Sequence, residues 1–256
     1  MKTASIDLQI SGEVFTILLV APEGKPPTLD AVVLQQLEQA IAQVREQQPK
    51  LVLLRSSSER FFCVGANLNV LKETNEATIV PWVMQGHRVL NLLEDLPMPV
   101  LAVVEGYAMG GGLELAMACD LIFSSDQAKF AQSEASLGFI PGWGGTRRLA
   151  ERIGVAKAKY YFYSGKMLDA ELAASVGLID YVGSKEALDA ELDGFAAAVI
   201  GNNSNALRQF KTILNQQQRA ARAENASVEA FHSITCLQDA DAKQRLSDFF
   251  NKRGQK

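Results

Sequence analysis

The sequence predicts an α/β fold in which pairs of short strands alternate with helices, followed by a helical tail. Short apolar runs bounded by glycine, proline or polar residues indicate buried strands, and residues 100–104 are the clearest example. Stretches with apolar residues at helical spacing separate these runs. From Asn202 onward the sequence is polar and helical, so a composition boundary lies near Gly201.

Composition limits the classes of function. The chain has 256 residues, of which 48% are hydrophobic and 21% are charged, so it can bury a core as one large domain or one domain with an appendage. A net charge of -4 does not favour nucleic-acid binding. No run approaches the ~18 apolar residues of a membrane span, and no targeting peptide is recognisable at the N-terminus. Three scattered cysteines and two histidines predict a cytoplasmic protein without a disulfide framework or a metal site.

The first third of the chain contains a predicted hairpin and a capped helix. Residues 5–20 alternate between apolar and polar around a turn, which predicts a β-hairpin. Residues 21–28 contain three prolines and form a loop, after which Asp30 is a candidate N-cap. The following segments are predicted to be a strand at 51–54, an apolar run at 61–68, a mobile connection or irregular helix at 69–80, and a long amphipathic helix at 82–96.

A glycine-rich turn after a buried strand is the most informative feature. Residues 100–104 lead through Gly110, Gly111 and Gly112 into a helix-forming run at 113–118. Such an arrangement directs free backbone N–H groups and the positive end of a helix dipole at one point, which predicts a cradle for an anion or a developing oxyanion. A phosphate loop is excluded because no Gly-Lys-Ser/Thr follows, and a dinucleotide fingerprint is excluded because its glycine spacing is absent.

The remaining elements follow the same alternation. We predict strands at 121–124, 129–132 and 178–182, and helices at 146–153, 156–164, 170–175, 185–199 and 242–253.

Two glycine turns and two glutamates could form a catalytic site. Two converging backbone N–H groups, one from Gly65-Ala66 and one from the turn at Gly111, would stabilise an oxyanion. Glu114 and Glu134 each lie at the end of an element beside a glycine-rich turn, and burial would raise their pKa toward that of a general acid or base. Taken singly, each turn is also explained by tight packing, and each glutamate by a structural position.

Several ordered motifs resemble the crotonase (enoyl-CoA hydratase/isomerase) superfamily, most closely its bacterial enoyl-CoA hydratases. The likeness extends over nearly the whole chain and includes the sequences Phe-Phe-Cys-Val-Gly-Ala-Asn-Leu, Gly-Tyr-Ala-Met-Gly-Gly-Gly-Leu-Glu-Leu-Ala and Phe-Ala-Gln-Ser-Glu. The matching segments are residues 61–68, 97–116, 119–120, 130–134, 137–146 and 248–253.

The resemblance implies a crotonase (ClpP-like) spiral of ββα units and an acyl-CoA thioester as the substrate. It implies a core with the CoA-binding and catalytic site at 1–200. It also implies a helical region at 201–256 that builds a trimer or a dimer of trimers and closes the CoA pocket. No cofactor is expected, because coenzyme A is part of the substrate. Departures from the family pattern are Asn67 in place of aspartate, Asn69 in place of a basic residue, an unusual loop at 21–30, and Gln244-Arg245 in place of Glu-Gly.

By the same resemblance, Glu114 and Glu134 are the catalytic glutamates, and the N–H groups of Ala66 and Gly111 hold the thioester oxygen. The implied reaction is reversible addition of water to a trans-2-enoyl-CoA, with Glu114 as the base and Glu134 as the donor to the α-carbon. The implied substrate- and CoA-binding residues are Val64, Ala66, Asn67, Leu68, Gly110, Gly111, Gly142, Trp143, Phe249 and Lys252, of which the last two are often reached across a subunit boundary. Candidate acyl-pocket residues are Trp82, Met84, Phe139 and Trp143.

Two groups of alternatives remain at this point. One is another reaction of the same superfamily, namely specialised hydroxyacyl-CoA dehydration, double-bond isomerisation or thioester hydrolysis. The other is a non-catalytic scaffold or RNA binder, which the net charge and the retention of both glutamates disfavour.

Overall fold

The computed structural model of the chain describes residues 4–253, except for the side chains of residues 218–220 and 253. The elements in chain order are β1 (Ser5–Ser11), β2 (Val14–Val20), α1 (Ala31–Gln47), β3 (Leu51–Ser56), β4 (Phe61–Cys63), α2 (Leu68–Glu73), α3 (Glu76–Glu94), β5 (Val100–Val104), β6 (Tyr107–Met109), α4 (Gly111–Met117), β7 (Leu121–Ser125), β8 (Lys129–Ala131), a 3₁₀ helix (Glu134–Leu137), α5 (Gly145–Ile153), α6 (Val155–Ser164), β9 (Leu168–Asp169), α7 (Ala170–Ser175), β10 (Tyr181–Gly183), α8 (Lys185–Gly201), α9 (Ser204–Gln238) and α10 (Ala240–Arg253).

The strands form two sheets, and from β3 to β8 consecutive strands alternate between them. The larger sheet has the order β1-β2-β3-β5-β7-β10 and is parallel except for the β1–β2 hairpin. The smaller sheet has the order β4-β6-β8-β9, in which only β8 and β9 run antiparallel. Each strand pair β3–β4, β5–β6 and β7–β8 places its first strand in the larger sheet and its second in the smaller one. The predicted spiral of ββα units is confirmed.

Local sequence signals explain most element boundaries. The Asp30 carboxylate accepts hydrogen bonds from the N–H groups of Val32 and Val33, which begins α1 as predicted. The same helix buries an apolar stripe at helical spacing, which packs into the main core. The hairpin at 5–20 is likewise confirmed.

The segment at 69–80 is more regular than the sequence indicated. Instead of a mobile connection it contains the short helix α2 and the start of α3, separated by Thr74-Asn75. The Asn75 side chain accepts from Ala77 and Thr78, and the Thr78 hydroxyl accepts from the Asn75 N–H, so a capping box starts α3 six residues earlier than predicted. The proline at position 81 lies inside α3, where it removes one backbone donor without ending the helix.

The predicted strand at 178–182 is wrong in its first half. Only Tyr181–Gly183 pairs with β7, while Leu178 and Ile179 are buried in the core outside the strand. Burial, rather than strand pairing, explains why those two positions are apolar.

The C-terminal helices pack on the chain's own core. Helix α9 lies along α3, where the Arg222 guanidinium pairs with the Glu94 and Asp95 carboxylates. The division of the chain at residue 200 and the role of the tail in oligomerisation stay predictions. In the part of the chain that the structure describes, no helix is both long and apolar enough to cross a bilayer.

Candidate active site

One cavity of about 900 Å³ opens between the C-terminal helices and the two glycine turns, which follow β4 and β6 of the smaller sheet. Its wall combines the loop at 22–28, the segment 64–71, α3, the β6–α4 turn, residues 133–143 and the ends of α9 and α10. Segments far apart in the sequence therefore meet here, and the two predicted glycine turns are neighbours.

The backbone N–H groups of Ala66 and Gly111 lie at this cavity. A Cβ on Gly111 would lie 3.4 Å from the Ala66 nitrogen, so the two turns are in close contact. Neither N–H donates to a backbone carbonyl among the contacts that the structure describes. Gly111 is the first residue of α4, where an N–H has no acceptor within the helix. The pair is thus geometrically able to hold one negatively charged oxygen.

Two glycines are required for this approach of the backbones. Gly65 has φ +89°, and a Cβ there would lie 2.8 Å from the Gly111 nitrogen and the Met109 carbonyl oxygen. Gly110 has φ +52° and faces the Glu134 carboxyl group. Larger residues at either position would separate the two N–H groups, which explains glycine at both sites.

Glu114 is held inside the molecule by backbone donors. It lies on α4, is 2% exposed, and its Oε1 accepts hydrogen bonds from the N–H groups of Trp143 at 2.8 Å and Gly145 at 2.7 Å. Burial raises the pKa of Glu114 well above its usual range, and the nearby Glu134 and Glu229 carboxylates raise it further, whereas the two backbone donors lower it. The Glu114 carboxyl group therefore binds a proton more tightly than an exposed glutamate does.

Glu134 is held more loosely. It begins the 3₁₀ helix, and its Oε1 accepts a hydrogen bond of 3.0 Å from Gln132 Nε2. Its Oε2 is buried and has no hydrogen-bond partner in the described part of the chain. Burial raises the pKa of Glu134 to about 7, although the hydrogen bond from Gln132 acts in the opposite direction. Both glutamates line the same cavity as the two free N–H groups.

Trp143 forms a wall beneath the two N–H groups. Its indole is 3% exposed and lies edge-on to Trp82, with ring centroids 5.5 Å apart. A Cβ on Gly111 would lie 2.5 Å from its Cζ3, and a Cβ on Gly86 would overlap the ring. These two glycines provide the space that the indole fills.

The structure brings together most of the predicted binding residues. The cavity lining includes Val64, Ala66, Asn67, Leu68, Gly110, Gly111, Gly142, Trp143 and Phe249. The N–H groups of Val64 and Asn67 already donate to Pro27 and Leu29, and the Asn67 carbonyl accepts from Val70 and Leu71.

Two predicted positions lie outside this lining. Lys252 is on an exposed face of α10, and its contact with CoA stays a prediction. Met84 is 41% exposed and does not line the cavity, so its assignment to an acyl pocket is wrong. It shares α3 with Trp82 and Val83, but helical geometry turns it to the outer face.

Sequence reasoning missed four polar residues near the site. Lys25 lines the cavity, Gln132 contacts Glu134, and His87 pairs with Glu229 inside the protein. Glu229 had a detectable signal, because small residues recur beside it at helical spacing and mark a buried face of α9. These residues are Ala226, Ala230 and Ser233.

Comparison with known proteins identifies the class. The enoyl-CoA hydratase/isomerase family profile matches residues 9–256. The chain therefore belongs to this family, the crotonase superfamily.

Individual relatives agree with this assignment. The chain is 30% identical to a crotonyl-CoA hydratase from Syntrophomonas wolfei over 90% of each chain. It is 29% identical to a short-chain-enoyl-CoA hydratase from Clostridium acetobutylicum, which covers 99% of this chain and 97% of the relative. The crystal structure of an enoyl-CoA hydratase from Bacillus halodurans superposes with a TM-score of 0.89 at 22% identity, covering 95% of this chain and 99% of that one, and supports the fold.

Proposed function

We propose that this protein is an enoyl-CoA hydratase, which adds water reversibly across the 2,3 double bond of a trans-2-enoyl-CoA to give a 3-hydroxyacyl-CoA, as in fatty acid β-oxidation. The observation that carries this proposal is the presence of the buried Glu114 and the half-buried Glu134 carboxyl groups beside two free backbone N–H groups in one cavity. Hydration needs a base for water, an acid for the α-carbon and a site for the enolate oxygen. The cavity provides one group for each of these needs.

The oxygen of the thioester carbonyl would accept hydrogen bonds from Ala66 and Gly111. These donors become more favourable as negative charge develops on that oxygen, and one such donor typically contributes ~2.7–4 kcal/mol to transition-state stabilisation. The thioester carbonyl withdraws electrons from the conjugated double bond, so polarising it makes the β-carbon electrophilic.

Water would be held between Glu114 and Glu134. Glu114 takes a proton from this water as its oxygen bonds to the β-carbon, and Glu134 delivers a proton to the α-carbon. The two roles exchange in dehydration. Burial raises the pKa of both carboxyl groups, and the charge of Glu134 raises that of Glu114 further, which favours the single retained proton that this mechanism requires.

The rest of the cavity fits a CoA thioester. Lys25 is exposed at the cavity wall and could contact phosphate groups, while the acyl end would meet apolar side chains. We propose that no resident cofactor takes part, because the two N–H groups supply the electrostatic stabilisation. Among the described residues, no group of three or more histidine, cysteine, aspartate or glutamate side chains is placed to hold a metal ion.

We also propose a homo-oligomer, a trimer or a dimer of trimers, in the cytoplasm. Helices α6 and α9 expose large apolar side chains, which favours contacts with other copies of the chain. Examples are Tyr160, Tyr163, Phe210 and Phe231, with exposed fractions of 56%, 75%, 69% and 66%.

The test is hydration of crotonyl-CoA by wild type and the Glu134→Gln variant, followed at the absorbance of the conjugated thioester. Glutamine keeps the shape of the side chain but cannot donate a carboxylic proton, so we expect kcat to fall by about 10²–10⁴-fold. Glu186→Gln is the control, because Glu186 is exposed at the start of α8. Hydration near the wild-type rate in Glu134→Gln would contradict the assignment, and double-bond migration in place of hydration would indicate an isomerase.

A further inference from the structure

The turn that orients Glu114 is bonded on its other side to a second buried carboxylate. Residues 143–146, here called the 143–146 turn, connect the cavity wall to α5. Their four successive backbone N–H groups alternate between Glu114 and Glu229. Trp143 and Gly145 donate to Glu114 at 2.8 and 2.7 Å, and Gly144 and Thr146 donate to Glu229 at 2.8 and 3.2 Å.

Glu229 comes from the C-terminal part of the chain. It lies on α9 and is 1% exposed, 85 residues away from Gly144 in sequence. His87 on α3 contacts its Oε2 through Nε2 at 2.8 Å, and the Thr146 hydroxyl donates to its Oε1. Burial alone would raise the pKa of Glu229, but the hydrogen bond and the charge interaction with His87 and the donors of the turn outweigh burial and lower it. Glu229 is therefore an ionised acceptor for the turn.

The turn needs such support because its backbone conformation is unusual. Gly144 has φ +95° and is the N-cap residue of α5. Because glycine has no side chain, Gly144 provides no side-chain hydrogen bond to the start of the helix. The Glu229 carboxylate takes the place of that cap, at the positive end of the helix. Asn225, one helical turn before Glu229, also donates to the Thr146 hydroxyl, at 2.8 Å. Both contacts tie the start of α5 to α9.

We propose that Glu229 is a positioning residue, which holds the 143–146 turn in the conformation that orients Glu114. The alternation of donors means that the two N–H groups facing Glu114 cannot rotate without breaking the two that face Glu229. This inference rests on the proposed role of Glu114 in hydration. It assigns α9 a part in catalysis through the backbone, without contact between Glu229 and the substrate.

The test compares two variants, each of which weakens a contact that α9 makes with the rest of the protein. Glu229→Gln removes the charge and the second acceptor oxygen while keeping the size of the side chain. Asp95→Asn, the matched control, weakens the ion pair with Arg222 on the same helix, and the Asp95 carboxylate makes no described hydrogen bond to the 143–146 turn. For each variant, kcat and KM for crotonyl-CoA are measured together with the thermal unfolding midpoint and the hydrogen–deuterium exchange of peptides covering the 143–146 turn.

We expect Glu229→Gln to lower kcat by about 10–100-fold with little change in KM, because a displaced catalytic group loses rate more than affinity. Amide exchange in the turn should accelerate. Asp95→Asn should lower the unfolding midpoint without either effect. Unchanged kcat in Glu229→Gln, or an equal loss of kcat in both variants, would overturn the proposal.

Two further measurements keep the outcome decisive. If Glu229→Gln does not fold, Thr146→Val removes the hydroxyl that donates to Glu229 and accepts from Asn225, while the backbone N–H groups of the turn stay in place. We expect a smaller fall in kcat with faster exchange in the turn, and no change in either quantity would contradict the proposal. If the wild type does not hydrate any enoyl-CoA, the proposed function fails. Amide exchange in Glu229→Gln still decides whether Glu229 holds the turn.

Discussion

The two glutamates of the cavity are held in different ways. Glu114 projects from α4, is almost completely buried and accepts two backbone N–H groups. Glu134 begins a four-residue 3₁₀ helix, accepts one side-chain donor and has one oxygen without a partner. Two backbone donors fix a carboxylate on a helix more tightly than a single amide side chain fixes one on a short 3₁₀ helix.

This difference indicates which glutamate acts as the base and which acts as the acid. A rigid carboxylate with two N–H donors suits a base that must orient one water molecule. A carboxyl group with a free oxygen suits an acid that must reach a carbon atom. The assignment of Glu114 as base and Glu134 as acid agrees with this difference and remains a proposal.

Shortening each side chain by one methylene gives the largest expected contrast. In Glu114→Asp the carboxylate would leave both backbone donors, and the rigid helix cannot follow, so we expect kcat to fall by about 10²–10³-fold. In Glu134→Asp the short 3₁₀ helix can adjust, and the fall should be at least tenfold smaller. Equal losses in the two variants, measured with crotonyl-CoA, would show that the difference in support has no consequence for catalysis.

The pH dependence of stability gives a smaller effect. The pKa of Glu134 rises from 4.5 to about 7 on folding, so its ionisation opposes folding. Glu134 therefore contributes fully to the free energy of unfolding, measured relative to Glu134→Gln, below pH 4.5. This contribution is lost as the pH rises through about 7. We expect the stability difference to shift in favour of the variant by about 2–3 kcal/mol between pH 5 and pH 8.

Urea unfolding at these two pH values measures this shift. Glu186→Gln is the control, because burial does not oppose the ionisation of this exposed carboxylate, and its stability difference should not move in that direction. A shift of the same size in both variants, or no shift in Glu134→Gln, would mean that ionisation of Glu134 is not opposed in the folded protein.

Much of the fold could be predicted because its signals are local. The cap at Asp30, the hairpin at 5–20 and the buried run Val100–Val104 depend on residues close in sequence, and all three were confirmed. The segment at 69–80 was harder. Its polar composition is typical of a loop, but the capping box formed by Asn75 and Thr78 stabilises the start of a helix there.

The site was predictable in part. Gly65, Gly111 and the two glutamates carry sequence signals, because glycine turns and element ends have recognisable patterns. The contact between the 143–146 turn and Glu229 does not, because it joins residues about 85 positions apart through backbone N–H groups. A backbone N–H donor does not depend on the side chain, so the residue types in the turn do not indicate this contact. Only the structure reveals that α9 supports the site.

The most direct test of the central claim is the reaction of crotonyl-CoA in deuterated water, with the product analysed by mass spectrometry after exchange of labile hydrogens. If Glu114 and Glu134 add water across the double bond, the product is 3-hydroxybutyryl-CoA with one deuterium retained on the α-carbon, and its formation is lost in Glu134→Gln. Absence of a hydrated product from the wild type, or a product without deuterium at that carbon, would contradict the account.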